Sequence, residues 1–411
     1  MSQRLIKAVA FILLAVLLLT LPGLAGCAEG EEEEVPEIVI GILTDSTGPA
    51  AYGCTQTVNG FKDYFRMVEE KDPIPGVSIS FASYDMRTDY SRVPPGYVWL
   101  KTQGAMLMGI IHPSSMDILA SRAAEDQIPL AGTTAVALYQ NEWAFTMYAT
   151  NAVQIEAILM WIADTWQGEG LPKVGHVGYS GYTTTAGYDA GIDAFLETNP
   201  GEIDYVGTQA APTGTSTWAS EVGKLMDCDF IIMTCVGPGV PSFIRESRAR
   251  GYTGAFVSGI EAIPGFMKSI KGGVSSDQLY SLYAVGYWPW WGQDVAYIND
   301  LEEAIQEYHS GEAEDLMKES GPISGWGWGL YVADAIRRAV EEVGAENVDG
   351  AAIRDALAET NLTLEGFGNT WSFTENRHVL CLAQKAYEYD AEEDDWTAVS
   401  DWVTPVYSVG S

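Results

Sequence analysis

The sequence predicts an α/β protein of two lobes, each a doubly wound parallel sheet. Three observations carry this. Short β-branched apolar runs alternate with amphipathic helical stretches, as strand–helix–strand units do. The alternation proceeds once through the first part of the chain and restarts near Lys173. About 375 residues follow residue 36, more than one hydrophobic core ordinarily organises.

The first unit is Ile38 to Met67. Ile38-Val39-Ile40-Gly41-Ile42-Leu43 reads as a buried parallel strand. A Gly/Pro/Ser/Thr loop from Asp45 to Gly53 follows, and Val58, Phe61, Tyr64, Phe65 and Val68 then recur at helical spacing. In an open α/β sheet such a loop sits at the carboxyl edge, where ligands bind. Val77 to Tyr84 is a second strand and Gly104 to Ile111 a third, ending in His112-Pro113-Ser114-Ser115 before a helix to Asp126. Ile128 to Ala131 is a short fourth strand ending in Gly132-Thr133-Thr134, and Ala152 to Trp166 a helix. The second series places strands at Lys173–Tyr179, 203–207, 229–234, 255–258 and 279–285, with helices over 186–197, 218–226 and 241–250.

Arg4 and Lys7 precede the apolar run Ala8 to Leu19, and Leu24-Ala25-Gly26-Cys27 closes it: a charged n-region, an h-region and a small-residue cleavage site. The four residues resemble a bacterial lipobox, which makes residues 1–26 a lipoprotein signal peptide and Cys27 the lipid-carrying first residue. The run is short for a bilayer span. Residues 27–36 are an acidic tether, whose mutually repelling glutamates build no core.

The formal net charge is −34, and removing Arg4 and Lys7 with the leader takes it to −36. Nucleic acid is excluded as a partner, because its phosphates are repelled. Cys228 and Cys235 flank a strand that separates them by roughly 23 Å, beyond disulfide reach. No cysteine spacing matches a zinc site, and His112, His176, His309 and His378 are scattered as surface or satisfied core residues. The expectation is no metal and no cofactor. Asp390 to Asp395 lacks the glycine and terminal Glu of a calcium loop and reads as a solvated hairpin tip.

Taken together, Ile40-Gly41-Ile42-Leu43 with Thr47-Gly48-Pro49, then Gly109 to Ser115, then Ile128 to Thr134, resemble a type I extracytoplasmic solute-binding protein. The branch resembled is the leucine/isoleucine/valine-binding family of branched-chain amino-acid ABC transporters. Val174 to Tyr179, Asp229 to Gly251, and Gly321-Pro322 leading into a helix Gly329 to Val343 extend the likeness. It implies a type I periplasmic-binding-protein fold with a hinge and an interlobe cleft: lobe 1 from 37–152 plus about 284–378, lobe 2 from about 153–283 plus 379–411. It also implies a monomer that closes on a small-molecule amino acid or carboxylate, an ABC permease as partner, and an extracytoplasmic place, anchored by lipid to the cell membrane at the cell surface or in the periplasm.

By the same resemblance, Ser114, Ser115, Thr133 and Thr134 meet a ligand carboxylate at helix N-termini, although serine and threonine cap helices in any case. Glu261, just past the strand at 255–258, meets an ammonium. Tyr182 covers the ligand, and Asp85 is a lesser candidate. The sequence departs from the branched-chain pattern at Tyr287-Trp288-Pro289-Trp290-Trp291 and at Trp326 and Trp328. Indoles so dense in loops place one or two, Trp288 and Trp326 foremost, in the cleft, which admits aromatic or larger carboxylates. The alternative is packing between lobes.

An enzyme is disfavoured. Gly178-Tyr179-Ser180-Gly181-Tyr182 lacks the closing glycine of a nucleophile elbow, and neither a P-loop nor H-E-x-x-H occurs. A ligand sensor passing occupancy to a membrane receptor shares every feature of the transport reading.

Overall fold

The computed structural model describes residues 35–132, 141–215, 217–373 and 379–405. The first sheet is laid down by β1 (Glu37–Thr44), α1 (Ala51–Lys71), β2 (Ser78–Asp85), α2 (Val93–Thr102), β3 (Ala105–Ile110), α3 (Pro113–Asp126), β4 (Leu130–Gly132) and β5 (Ala144–Thr146). Its order is β2-β1-β3-β4-β5, all parallel. Ile38, Ile40, Ile42 and Leu43 are buried, because helices cover both faces of a parallel sheet.

The second sheet begins after α4 (Asn151–Thr165) with β6 (Lys173–Tyr179), α5 (Thr183–Thr198), β7 (Asp204–Ala211), α6 (Ala219–Leu225), β8 (Phe230–Met233), α7 (Gly239–Ala249), β9 (Ala255–Gly259), α8 (Met267–Gly273) and β10 (Leu282–Gly286). The chain then returns to the first lobe through α9 (Ala296–Tyr308), α10 (Ala313–Leu316), α11 (Ser320–Val343) and α12 (Gly350–Ala358), followed by the ribbon β11 (Asn361–Leu362) and β12 (Trp371–Ser372). Finally β13 (Lys385–Asp390) and β14 (Asp395–Ala398) add antiparallel to β10, giving the order β14-β13-β10-β9-β8-β6-β7. Two lobes with mostly parallel sheets result, as the alternation predicts.

The chain passes between the lobes three times. Two of the crossings lie side by side: Leu380 N–H donates to Thr146 O at 3.1 Å and Cys381 N–H to Met147 O at 2.9 Å. The third, through Tyr287 and Trp288, packs on Tyr148 with ring centroids 5.3 and 5.5 Å away.

Three of the elements read from the sequence differ markedly in extent. Strand β7 continues past Gly207 to Ala211, because Gly207 (φ 118°) adopts a conformation only glycine takes freely and so bulges the strand rather than ending it. The sequence from Val379 to Tyr389 reads as one strand, but residues 379–384 join the crossing just described and β13 begins only at Lys385. Most tellingly, α11 starts at Ser320, not Gly329, and Gly-Trp-Gly-Trp-Gly is helical. Gly321, Gly325 and Gly329 recur every four residues and form a bare stripe against α1. A Cβ on Gly325 would lie 2.0 Å from Thr57 O and 2.7 Å from Phe61 N, both backbone atoms. Three glycines ordinarily weaken a helix; here backbone contact with α1 replaces what propensity lacks.

All four described cysteines are buried and free. No helix among the described residues is long and apolar enough to cross a membrane. Asp390 to Asp395 caps the β13–β14 hairpin, where Asp394 pairs with Lys271 at 2.8 Å and Lys318 at 3.1 Å.

Candidate functional site

Between the two sheets lies a cavity of about 950 Å³. In each sheet the strand order reverses once, between β1 and β3 and between β8 and β6, and ligands of doubly wound sheets bind at the carboxyl ends there. The cavity fits this rule from both sides. Cys54 of α1 and His112 after β3 line it from the first lobe, and Tyr179, the last residue of β6, and Thr234, just after β8, line it from the second. The opening turn of α11 also contributes, through Ser320, Gly321 and Ser324.

One wall of the second lobe is organised around Glu261, the sole carboxylate among the described lining residues. It sits just past the end of β9. Gln154 Nε2 donates to its Oε2 at 3.0 Å and the Tyr287 hydroxyl to its Oε1. Tyr188 in turn donates to Gln154 Oε1, which fixes the amide with its donor toward the carboxylate. Burial, then the charge of Glu261, push the Tyr287 phenol far above its ordinary pKa, so it remains a donor. Tyr148 and Trp288 complete an aromatic surround, the Tyr287 and Trp288 rings standing edge to face at 4.5 Å. A carboxylate so held lines the cavity with spare lone pairs, the arrangement that receives an ammonium group.

The opposite wall carries a second polar cluster. His112 Nε2 lies 3.2 Å from Asp45 Oδ2 and 3.6 Å from Cys54 Sγ. Asp45 follows β1 and is fully buried, and it accepts from Thr88 N–H at 2.8 Å and from the Thr88 hydroxyl. Burial works to raise the Asp45 pKa, but the His112 and Thr88 contacts outweigh it and hold the carboxyl low. Burial opposes an imidazolium at His112 as well, yet Asp45 and Cys54 raise its pKa. Three groups 9 and 58 residues apart in sequence meet because β1 and β3 are neighbours, a fact that spacing along the chain does not carry.

The structure distributes the sequence-predicted residues unevenly. Glu261, Tyr182 and Trp288 line the cavity together. Ser114 instead shares a 2.8 Å hydrogen bond with Thr183 of the other lobe, a contact that holds α3 and α5 together across the cleft. Ser115 is buried beneath α3, its hydroxyl donating to the Met86 sulfur at 3.4 Å. Trp326 packs edge-on to Tyr64 at 4.9 Å inside the first lobe, because its helix is pinned to α1 by the glycine stripe. Trp290 donates to Asp395 and Trp291 to Glu319 O, so both pack against neighbouring segments. Asp85 accepts from Ser46 and Thr47 and pins the β1–α1 loop. Thr133 and Thr134 lie outside the described residues.

His176 is a satisfied core residue, its ring nitrogens 2.9 Å from Asp189 and 2.8 Å from Thr234. His309 pairs with Asp63 at 2.7 Å, and His378 lies outside the described residues. His112, in contrast, belongs to the cleft. Sequence reasoning singled out the run from Tyr287 to Trp291 for its tryptophans alone, and it passed over Gln154, Tyr148 and Tyr188. The only signal for them was position, each near the start of a helix or a crossing.

Two doubly wound lobes, three crossings and a polar, aromatic cavity between facing carboxyl edges define a two-lobed ligand-binding protein. Residues 37–394 match the periplasmic binding protein family, and the chain belongs to that family: it is a binding protein rather than an enzyme. No curated protein matches it. Among solved structures it is similar to a branched-chain amino-acid ABC transporter protein from Thermus thermophilus with bound valine. That pair has 14% identity and a TM-score of 0.78, covering 90% of this chain and 97% of the other. It is also similar to a fatty acid ABC transporter substrate-binding protein from Thermomonospora curvata, at 17% identity and TM-score 0.77 over 90% of this chain and 92% of that one. The branched-chain amino-acid substrate-binding protein LivJ from Streptococcus pneumoniae, in complex with isoleucine, aligns at 16% identity and TM-score 0.73 over 90% and 100%. At such identities the likeness is one of fold.

Proposed function

We propose that this protein is the extracytoplasmic, lipid-anchored substrate-binding protein of an ABC importer. It acts as a monomer that closes its lobes on an amino acid or related small carboxylate and delivers it to a membrane permease. The observation that carries the ligand class is Glu261, held by Gln154 and Tyr287 inside an aromatic surround, where an ammonium gains both the carboxylate and ring faces. Thr133 and Thr134 are the proposed carboxylate contacts on the first lobe, and Cys27 the anchored residue. Closure needs no chemistry, only hinge rotation about the three crossings.

The cavity favours a ligand larger than a branched aliphatic amino acid. Its 950 Å³ lies at the upper end of small-molecule sites, roughly 300–1,000 Å³, and its aromatic lining suits an aromatic or extended side chain. The test is a thermal-shift screen of the chain from residue 28 onward, unfolded and refolded to remove carried-over ligand. Amino acids, aromatic carboxylates and fatty acids are compared. A ligand at a hundred times its Kd adds about 2.7 kcal/mol of stability. Stabilisation by ammonium-bearing carboxylates supports the reading, and stabilisation by fatty acids alone refutes it.

A further inference from the structure

We propose that Asp45, Cys54 and His112 form a three-ligand site for a divalent transition metal of the zinc class on the first-lobe wall of the cleft, its fourth position open to the cavity. The three donor atoms lie within 4.8 Å of one another. One nitrogen, His112 Nε2, faces both the carboxylate oxygen at 3.2 Å and the sulfur at 3.6 Å. A single imidazole N–H directs itself at one acceptor, so hydrogen bonding accounts for one of these contacts well and the other poorly. A cation at the centre engages all three.

The two edges that meet at His112 Nε2 match such a centre. Zinc bonds of about 2.3 Å to sulfur and 2.0–2.2 Å to nitrogen and oxygen, at tetrahedral angles, set edges of about 3.5 Å for N···S and about 3.3 Å for N···O. The donor set of thiolate, imidazole and carboxylate is that of a borderline metal and not of magnesium or calcium. Thr88 supplies the outer support, its N–H and hydroxyl both donating to Asp45 and orienting the carboxylate. Cys54, His112 and Thr88 border the cavity, whereas Asp45 is fully buried behind them, so a bound ion presents one face to the cleft. The metal takes Cys54 as thiolate and His112 as neutral imidazole, any proton so displaced passing to water. Three protein ligands with one open position is the pattern of a metal that engages a further small molecule, here a carboxylate or amine of the cargo.

The probe is cobalt(II), added to the full chain in detergent after treatment with a chelator and reductant. The expected result is one equivalent bound, with a sulfur-to-cobalt charge-transfer band in the near ultraviolet, tetrahedral visible bands, and displacement of both by zinc. Cys54→Ser should abolish the charge-transfer band, and His112→Ala should remove stoichiometric binding. Thr88→Ala should keep the band and weaken affinity by roughly 10- to 100-fold. The wild-type spectrum alone decides the matter even if a variant misfolds: no stoichiometric tetrahedral cobalt spectrum overturns the proposal. A charge-transfer band that survives Cys54→Ser in a folded variant overturns it too. Because the probe is the metal alone, neither outcome depends on which cargo the protein carries.

Discussion

The glycine stripe of α11 makes a quantitative claim about how the first lobe holds together, and Gly325→Ala tests it. The added Cβ would stand 2.0 Å from Thr57 O and 2.7 Å from Phe61 N, whereas an unstrained contact needs about 3.5 Å. Both obstacles are backbone of α1, which has no rotamer to yield. The helices must therefore separate locally by about 1.5 Å, and overpacking of this kind costs about 3 kcal/mol. Alanine recovers about 1 kcal/mol through helix propensity, leaving a net loss of about 2 kcal/mol. For 375 residues the unfolding entropy is about 0.8 kcal/mol per degree, so the melting temperature should fall by about 2–3 °C. Gly272→Ala is the control: it lies in α8 with nothing within 4 Å of the added carbon, and should match or exceed wild type. Scanning calorimetry of both variants measures the difference, and a Gly325→Ala protein as stable as Gly272→Ala would refute the close-packing account. Because Ser320, Gly321 and Ser324 line the cavity, the same displacement should also loosen ligand binding.

Three further outcomes are expected. Glu261→Gln should weaken an ammonium-bearing ligand by about 1.5–3 kcal/mol, roughly 10- to 150-fold, and leave an amine-free analogue nearly unaffected; titration calorimetry with matched ligands compares the two. Burial raises the Glu319 pKa from 4.5 to about 7, although a hydrogen bond from Tyr52 at 2.8 Å opposes it. The folded state therefore holds the proton more tightly than the unfolded chain, and this stabilisation, present below pH 4.5, is lost by about 3 kcal/mol as pH rises through 7. Denaturation curves across that window should flatten in Glu319→Gln, and an unchanged slope would count against the assignment. Cys27→Ser should release the protein from membranes into the soluble fraction, a result read by fractionation and immunoblotting.

The alternation of apolar runs and helices made the fold legible, because parallel sheets impose a pattern that survives in one sequence. Glu261 was legible for the same reason: its position past the end of a strand is local information. The α11 start was not, since Gly-Trp-Gly-Trp-Gly reads as a loop unless the four-residue repeat of Gly321, Gly325 and Gly329 is taken as a contact face. The Asp45–Cys54–His112 cluster was out of reach because it depends on β1 and β3 being neighbours while β2 stands outside them. Ser114 and Ser115 illustrate the opposite case. Their residue types suit a carboxylate, but α3 turns one toward Thr183 and the other under the helix.

The pairing of β13 with β10 has a bearing on how the molecule is born. Lys385 to Glu388 joins Tyr283 to Gly286 across about a hundred residues, and most of the intervening chain belongs to the other lobe. The edge of β10 is thus unpaired until residues 385–388 are present, and a chain stopped at residue 380 would present it bare to any strand nearby. The sheet of the second lobe is therefore finished by a segment that follows the helices of the first lobe in the chain, so the second lobe cannot close its sheet before the first has been laid down.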